Sequence, residues 1–295
     1  MDTISAPHFR DDNAARKFLE GILWPDGPVC PFCGVVNHAY ETSRAGLYRC
    51  AEKDCRKDFT VIMKTVMERS HIALHKWLQG FFLMASSKKG VSAHQLHRSL
   101  GITYRSAWFM VHRIREAMRA GGLAPFGDGG GIVEADETYY GPVEKPRVSP
   151  QRGSRPFTKG GKTGPAGKRA IVSLVERGGN VRSFHIPTAD KESITKIVTE
   201  NVAREARLMT DESKLYFRAK EHVAKHNTVK HSADEYVRGD IHTNSVEGFF
   251  GIFKRGMRGI YQHCAEKHLH RYLLEFDFRY NARKITDIER AALAI

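Results

Sequence analysis

Gly131-Ile132-Val133-Glu134-Ala135-Asp136 is a short apolar run that closes on an acid, and it reads as a strand entered from the Gly-rich linker Gly121–Gly131. A second run of the same form, Ala206-Arg207-Leu208-Met209-Thr210, leads directly into Asp211. A third acid sits in a different setting, within His242-Thr243-Asn244-Ser245-Val246-Glu247-Gly248-Phe249-Phe250-Gly251-Ile252-Phe253-Lys254-Arg255. Read as a helix, that stretch puts Phe250 and Phe253 on one apolar stripe. Glu247 and Lys254 lie seven residues apart, close to two turns, and so point from one face. Two strand-borne aspartates and a late helix-borne glutamate are what two divalent metals need for in-line attack on a phosphodiester.

The chain between these acids supplies the rest of the expected sheet. Thr138–Pro142 turns into a long segment, 143–169, rich in Gly, Pro, Lys and Arg, which reads as a basic loop able to order on a phosphate backbone. Ala170–Val175 and Val181–Ile186 flank a turn at Gly178-Gly179 and form an antiparallel hairpin. Ile194–Val202 reads as a helix, Lys214–Ala219 as another, Asn227–Asp240 as polar loop, and Tyr272–Lys284 as a closing helix. Three strands, a helix, a strand, and then helices make an α/β domain of the RNase H-like kind, a mixed sheet flanked by helices. Its first and fourth strands lie side by side, which brings Asp136 and Asp211 together across 75 residues of sequence.

Magnesium takes carboxylates and water in octahedral geometry. The expected assignment is therefore Asp136 bridging two Mg²⁺ (or Mn²⁺) ions, Asp211 to one and Glu247 to the other, with Lys254 steadying a phosphate. Asn244, one turn before Glu247, adds a carbonyl ligand or a DNA contact, and His242 and Arg255 are expected on the DNA. Glu134 and Glu137 compete with Asp136, and Glu212 with Asp211. Glu134 shares a strand face with Asp136 and is placed to support it.

The N-terminal part carries different signals. Phe9–Trp24 reads as a short amphipathic helix stopped by Pro25 and Gly27. Cys30-Pro31-Phe32-Cys33-Gly34 is a Cys-x2-Cys knuckle whose backbone N–H groups can face the sulfurs, and Cys50 and Cys55 form a wider Cys-x4-Cys pair. Four thiolates separated by a 16-residue link suit two hairpins clamped by one structural Zn²⁺. Cys264 reads as a plain core residue.

Residues 70–120 turn helical. Ser92 is placed to cap a short helix, Gly101 to end it and Thr103 to cap the next. The helix from Tyr104 is expected to bury Ala107, Trp108, Val111, Ile114 and Met118. Its other side then offers Tyr104, Arg105, His112, Arg113 and Arg115 to DNA, in the manner of a helix-turn-helix.

The net charge of +14 favours a polyanion, and the basic residues are spread through folded-looking segments, which favours nucleic acid over a membrane surface. No window approaches the roughly 18 apolar residues of a membrane span, and Met1–Arg10 has no apolar secretion core. The expected location is cytoplasmic, on the nucleoid of a bacterial-type cell. The expected division is an N-terminal helix and zinc ribbon over 1–66, a helix-turn-helix region over 67–122, and an RNase H-like catalytic domain over 130–285 with the basic insertion at 143–169.

Several motifs taken together resemble an insertion-sequence transposase of the IS1595 type, with its ISXO2-like transposase domain. They are Cys30-Pro-Phe-Cys33-Gly, Tyr48-Arg-Cys50, Gly101-Ile-Thr-Tyr-Arg-Ser-Ala-Trp108, His112-Arg-Ile-Arg115, Glu134-Ala-Asp136-Glu-Thr-Tyr139-Tyr-Gly141, His242-Thr-Asn-Ser-Val-Glu247-Gly-Phe249 and Tyr272-Leu-Leu-Glu-Phe-Asp-Phe-Arg-Tyr-Asn281. The resemblance implies a DDE transposase that binds the terminal inverted repeats of its own element. Such an enzyme cuts at the ends and joins the freed 3′-OH to target DNA with Mg²⁺, as an assembly of at least two protomers. In that family Asn can stand where others have Glu at the third acid, so Asn244 and Glu247 both stand as candidates here. Two other readings compete: a catalytically silent DNA-binding regulator derived from a transposase, and a stand-alone nuclease of the same fold.

Overall fold

The computed structural model describes residues 5–119, 121, 124–144, 158–159, 162–163, 167–229, 237 and 239–295. The chain forms two compact units, Met1–Arg119 with Ala282–Ile295, and Ala120–Asn281.

In the first unit, helix α1 (Asp12–Leu23) starts where the Asp11 carboxylate accepts the Ala14 N–H at 2.8 Å. Strands β1 (Ala39–Glu41), β2 (Tyr48–Cys50) and β3 (Asp58–Phe59) form a small antiparallel sheet. Phe59 and the Cys30 and Cys50 sulfurs are buried there, beneath Trp24 and Tyr48. Helices α2 (Leu74–Ser86), α3 (Ala93–Leu100) and α4 (Tyr104–Ala117) follow, and α8 (Asp287–Leu293) packs on α2. Ser92 caps α3 through the Gln95 N–H, Gly101 ends it at φ +59°, and Thr103 caps α4 through the Ser106 N–H. Trp77, Phe81, Met84, Leu96, Ala107, Met110 and Ile114 are among the residues of its core.

The second unit is built on a five-stranded sheet of order β10-β9-β4-β7-β8. Its strands are β4 (Ile132–Pro142), β7 (Lys168–Glu176), β8 (Val181–Ile186), β9 (Arg207–Asp211) and β10 (Lys225–Val229), with a two-stranded ribbon β5 (Thr158–Lys159) and β6 (Lys162–Thr163) apart from it. β4, β7 and β8 run as an antiparallel meander, while β9 pairs parallel to β4 and β10 parallel to β9. Helix α5 (Lys191–Asn201) packs on one face through Ile194 and Val198. Helices α6 (Asn244–Gly256) and α7 (Leu269–Asn281) cover the other through Val246, Phe249, Phe253, Leu273 and Phe276. This is the RNase H-like mixed sheet, with apolar residues on both faces because helices lie on both.

Several local expectations change. Asp136 does not close its strand but sits in the middle of β4. Lys214–Ala219 forms 3-10 turns, Lys214–Tyr216 and Ala219–His222, in place of a helix. Asn227–Val229, expected as the start of a polar loop, belongs to a half-buried edge strand, Lys225–Val229. Its sequence, Lys-His-Asn-Thr-Val, lacks the apolar alternation that marks a strand, because only its inner neighbour β9 fixes it. The closing helix, expected over Tyr272–Lys284, is α7, and a further helix, α8, follows it. Cys264 is half-buried and not a core residue. Most of the basic insertion 143–169, and residues 230–236 and 238 of the expected polar loop, lie outside the described residues.

Candidate active site

The parallel register of β4 and β9 builds the site. Ile132 pairs with Arg207, Val133 with Leu208 and Glu134 with Met209. Continuing that offset by two residues sets Asp136 level with Asp211. Carboxylate oxygens of Asp136, Glu137 and Asp211 all lie within 4.8 Å of one another. Glu137, weighed from sequence only as a competitor for the first position, is thus part of the cluster. No sequence signal marks it, because successive side chains of a regular strand point to opposite faces and alternation separates Glu137 from Asp136.

The electrostatics of the cluster are unfavourable without a cation. Burial, then the charges of Glu137, Asp211 and Glu247, push the Asp136 carboxyl up to about 8, against the Glu137 N–H that it accepts at 2.8 Å. Burial and Asp211 also raise Glu137. Beneath the cluster the fully buried Tyr216 feels the same acids, its phenol raised well above the usual value by burial and by Glu137 and Asp136. The Tyr216 hydroxyl faces Glu137, whose ionised form it and Ser213 favour against burial and the Asp211 charge. An all-oxygen donor set carrying this much unrelieved negative charge fits a hard divalent cation.

Helix α6 brings in the remaining residues. Its register places Glu247 and Lys254 on the side of Asp136, whose titration Glu247 raises and whose charge in turn favours the Lys254 ammonium. Burial nevertheless lowers Lys254 overall. The Glu247 carboxylate lies outside the three-acid group and accepts the Thr243 hydroxyl at 2.8 Å. Asn244 is the first residue of the helix and is exposed, as is Arg255. His242 lies with Nδ1 3.3 Å from the buried Glu134 carboxylate and 3.2 Å from Arg177 Nη2. Its imidazole is half-buried and turned towards that ion pair.

In the first unit the four sulfurs of Cys30, Cys33, Cys50 and Cys55 also converge within 4.8 Å, in spite of the wider second knuckle. Burial opposes ionisation of Cys30, but the N–H groups of Cys33 and Phe32 outweigh it and hold its thiol at about 7. Cys50, with less help, is pushed up to about 12 by burial. Gly34 at φ +79° and Arg56 at φ +48° follow the two knuckles, and the chain turns back at each. Four convergent thiols make a closed tetrahedral donor set, which suits structural zinc.

Helix α4 is turned differently from the expectation. Tyr104 and Arg105 are exposed, but Arg115 is 1% exposed and His112 5%. Arg113 donates to the carbonyls of Val66 and Glu68 at 2.7 and 2.8 Å and stacks on Phe109. Conversely Trp108, expected in the core, is 43% exposed. The helix carries large apolar and basic residues on both sides, and Arg113, packed inward, finds carbonyl partners there.

Comparisons with known proteins follow the same division. The model of the ISXO2-like transposase domain matches residues 129–281, and that of the transposase zinc-ribbon domain matches residues 10–58. A protein of the transposable element ISH50 from Halobacterium salinarum is 28% identical over 282 residues, covering 92% of this chain and 91% of that one. Among solved structures, a pre-cleavage Mos1 transpososome aligns at 11% identity and TM-score 0.25, over 64% of this chain and 72% of that one. A Mos1 paired-end complex with the left transposon end aligns at 11% identity and TM-score 0.23, over 68% and 78%.

Proposed function

The chain belongs to the ISXO2-like transposase family, and on that premise we propose that it is a DDE-type DNA transposase. In this reading it binds the terminal inverted repeats of its element, cleaves at their ends and transfers the 3′-OH strands to target DNA, as an assembly of at least two protomers. The observation that carries the chemistry is the register-matched pair Asp136 and Asp211, crowded with Glu137 and charged to the point of resisting ionisation.

Asp136, Asp211 and Glu247 are the residues assigned to hold two Mg²⁺ or Mn²⁺ ions, with Glu137 as a further carboxylate at the same place. When bound, such ions activate the attacking oxygen and stabilise the leaving one. The protein's own part is orientation and charge. The sheet fixes the two aspartates, Tyr216 presents its hydroxyl from below, and Lys254 supplies a cation for the scissile phosphate on the Asp136 side. Asn244, at the exposed start of α6, is assigned to DNA or to the outer coordination of the metal, and Arg255 to the phosphate backbone.

DNA binding is assigned to the helical region. Between Glu68 and Glu116 the chain has no Asp or Glu and eight Lys or Arg, a charge balance that favours a phosphate backbone. Lys88, Lys89, Arg98 and Arg105 of this stretch are exposed. Tyr104 and Arg105, on the first turn of α4 after the Gly101 turn, occupy the place from which a recognition helix reads base edges. The zinc ribbon, with its four-sulfur site loaded, is assigned a second DNA contact.

Cleavage of a fragment carrying the gene's flanking ends, with Mg²⁺ or with EDTA, tests the reading. Metal-dependent cutting at the repeat tips, lost in Asp136→Asn and in Glu247→Gln, is the expected result. Tight end binding without cutting by the wild type would replace it with a silent DNA-binding regulator. Cutting that survives Glu247→Gln but fails in Asn244→Ala or Glu137→Gln would move the third ligand to that residue.

A further inference from the structure

Helix α6 begins without a side-chain cap of its own. Thr243 stands at the N-cap, yet its hydroxyl is given to Glu247 and not to the helix backbone. The orphan N–H groups of the first turn go instead to a residue 111 positions earlier in the chain. Glu134 Oε2 accepts the N–H of Ser245 at 2.7 Å and of Val246 at 3.2 Å, and Oε1 accepts the Ser245 hydroxyl at 3.0 Å. The first turn of a helix is where a carboxylate is most favoured, since both its unpaired donors and the positive end of its dipole face that way.

Glu134 is fully buried, and the Arg177 guanidinium closes on it beside His242, whose Nδ1 lies 3.3 Å from Oε1. Arg177, just past the end of β7, donates to Glu134 from Nε at 3.0 Å. It reaches on to the carbonyls of Asp240 at 2.8 Å and His242 at 3.2 Å, in the segment that leads into α6. One carboxylate and one guanidinium thus join four pieces of chain: β4, the β7–β8 turn, the entry segment and the helix itself.

The location gives this junction its consequence. Glu134 is two residues from Asp136 on the same face of β4, and Ser245 is two residues from Glu247. The Glu134–Ser245 contact therefore ties the strand to the helix two residues from each of the two acids. A buried ion pair is no better for stability than a well-packed apolar replacement. What it adds here is a fixed distance between the two elements, because donors and acceptor are held at hydrogen-bond length.

We infer that Glu134 and Arg177 form a latch that sets where α6 delivers Glu247 and Lys254 against Asp136, which makes Glu134 a positioning residue for the strand-cleavage chemistry. The inference rests on the proposed catalytic set. Loosening the latch lets the start of α6 shift relative to β4, and both Glu247 and Lys254 move with it. A misplacement of about 1 Å is enough to cost on the order of 100-fold in rate.

The test is a double-mutant cycle on the full-length chain, read as the single-turnover rate of metal-dependent end cleavage. It uses Glu134→Gln, Lys254→Ala and the two combined. Glu134→Gln keeps shape and one acceptor oxygen but loses the charge that binds Arg177. Expected are a loss of about 10- to 100-fold in cleavage with end affinity unchanged, and a smaller Lys254→Ala effect in the Glu134→Gln background than in the wild type. Cleavage at the wild-type rate in Glu134→Gln overturns the inference. So do rate losses that simply multiply, which is what a partly unfolded enzyme gives. If Glu134→Gln does not fold by circular dichroism, Ser245→Ala, which removes one bond to the latch, takes its place in the cycle with the same two outcomes. Asp136→Asn separates the levels. If it still cleaves, the catalytic set itself is wrong; if it is dead while the cycle multiplies, only the latch falls.

Discussion

Asp277 on α7 is a buried acid whose removal should stabilise the protein at one pH and not at another. Its carboxylate accepts the Ser183 N–H and the Ser183 hydroxyl, both at 2.7 Å, and Ser183 in turn lies 2.8 Å from the Ser173 hydroxyl. Asn281, one turn later, accepts the Val181 N–H and donates to the Val181 carbonyl. Both side chains therefore cover the outward backbone groups of β8, which is the edge of the sheet. Burial pushes Asp277 up to about 7 from the 3.8 of a free side chain, with the Ser183 donors and Arg182 opposing. The folded state then holds a proton that the unfolded chain releases, so this site loses stability as pH rises from the lower value towards the higher. The whole excursion is worth roughly 4 kcal/mol, and the part between about pH 5.5 and about pH 8 is roughly 2 kcal/mol. Asp277→Asn keeps an acceptor for the Ser183 N–H and cannot ionise. Urea-dependent amide exchange of the β8 peptide, in the full-length chain at both pH values, measures the difference. The gap between variant and wild type should move by about 2 kcal/mol in favour of Asn as pH rises. A gap that stays constant refutes the argument that burial outweighs the Ser183 bonds.

Three further outcomes follow from the first unit. Cys55→Ser breaks the four-sulfur donor set, so zinc measured with a chromogenic chelator after dialysis should fall from about one per chain to a small fraction; full retention would exclude Cys55 as a ligand. Arg105→Ala and Arg113→Ala should behave oppositely. The exposed Arg105 should lower the slope of log affinity for end DNA against log salt by about one, while Arg113 should leave the slope and cost about 2–4 kcal/mol of stability by orphaning the Val66 and Glu68 carbonyls. Gly101→Ala meets no atom within 4 Å of the new Cβ, so the expected cost is backbone strain alone, about 1 kcal/mol by thermal melting. A markedly larger loss would mean that the turn between α3 and α4 is packed against something.

The legible parts of this chain are those where a local residue choice has one physical meaning. The Cys knuckles, the Ser92, Gly101 and Thr103 stops, the Gly178-Gly179 hairpin and the two acid-bearing strands all belong here, and the sheet order follows from them. What stayed hidden depends on partners distant in sequence. β10 is a strand because β9 pairs with it, not because Lys225–Val229 favours one. Arg113 and Arg115 turn inward where the packing of α4 provides for them, and no periodicity separates such a face from a DNA-binding one. Glu137 joins the acids although strand alternation turns it to the face opposite Asp136, so its place in the cluster is a tertiary fact. Glu134 reads from sequence as a neighbour of Asp136, but its attachment to the start of α6 is a tertiary fact.

The parallel pairing of β4 with β9 also orders events in time. A ribosome that has just added Asp136 must add 75 residues before Asp211 exists, and 36 more before Glu247 does. At the usual pace of synthesis that is roughly 5–20 s. For the first 75 of those residues the nascent chain holds an aspartate with no register-matched partner, and for the last 36 it lacks the helix-borne acid. The proposed cleavage of DNA is thus withheld from any copy that ends before Glu247, by the order of the elements along the chain.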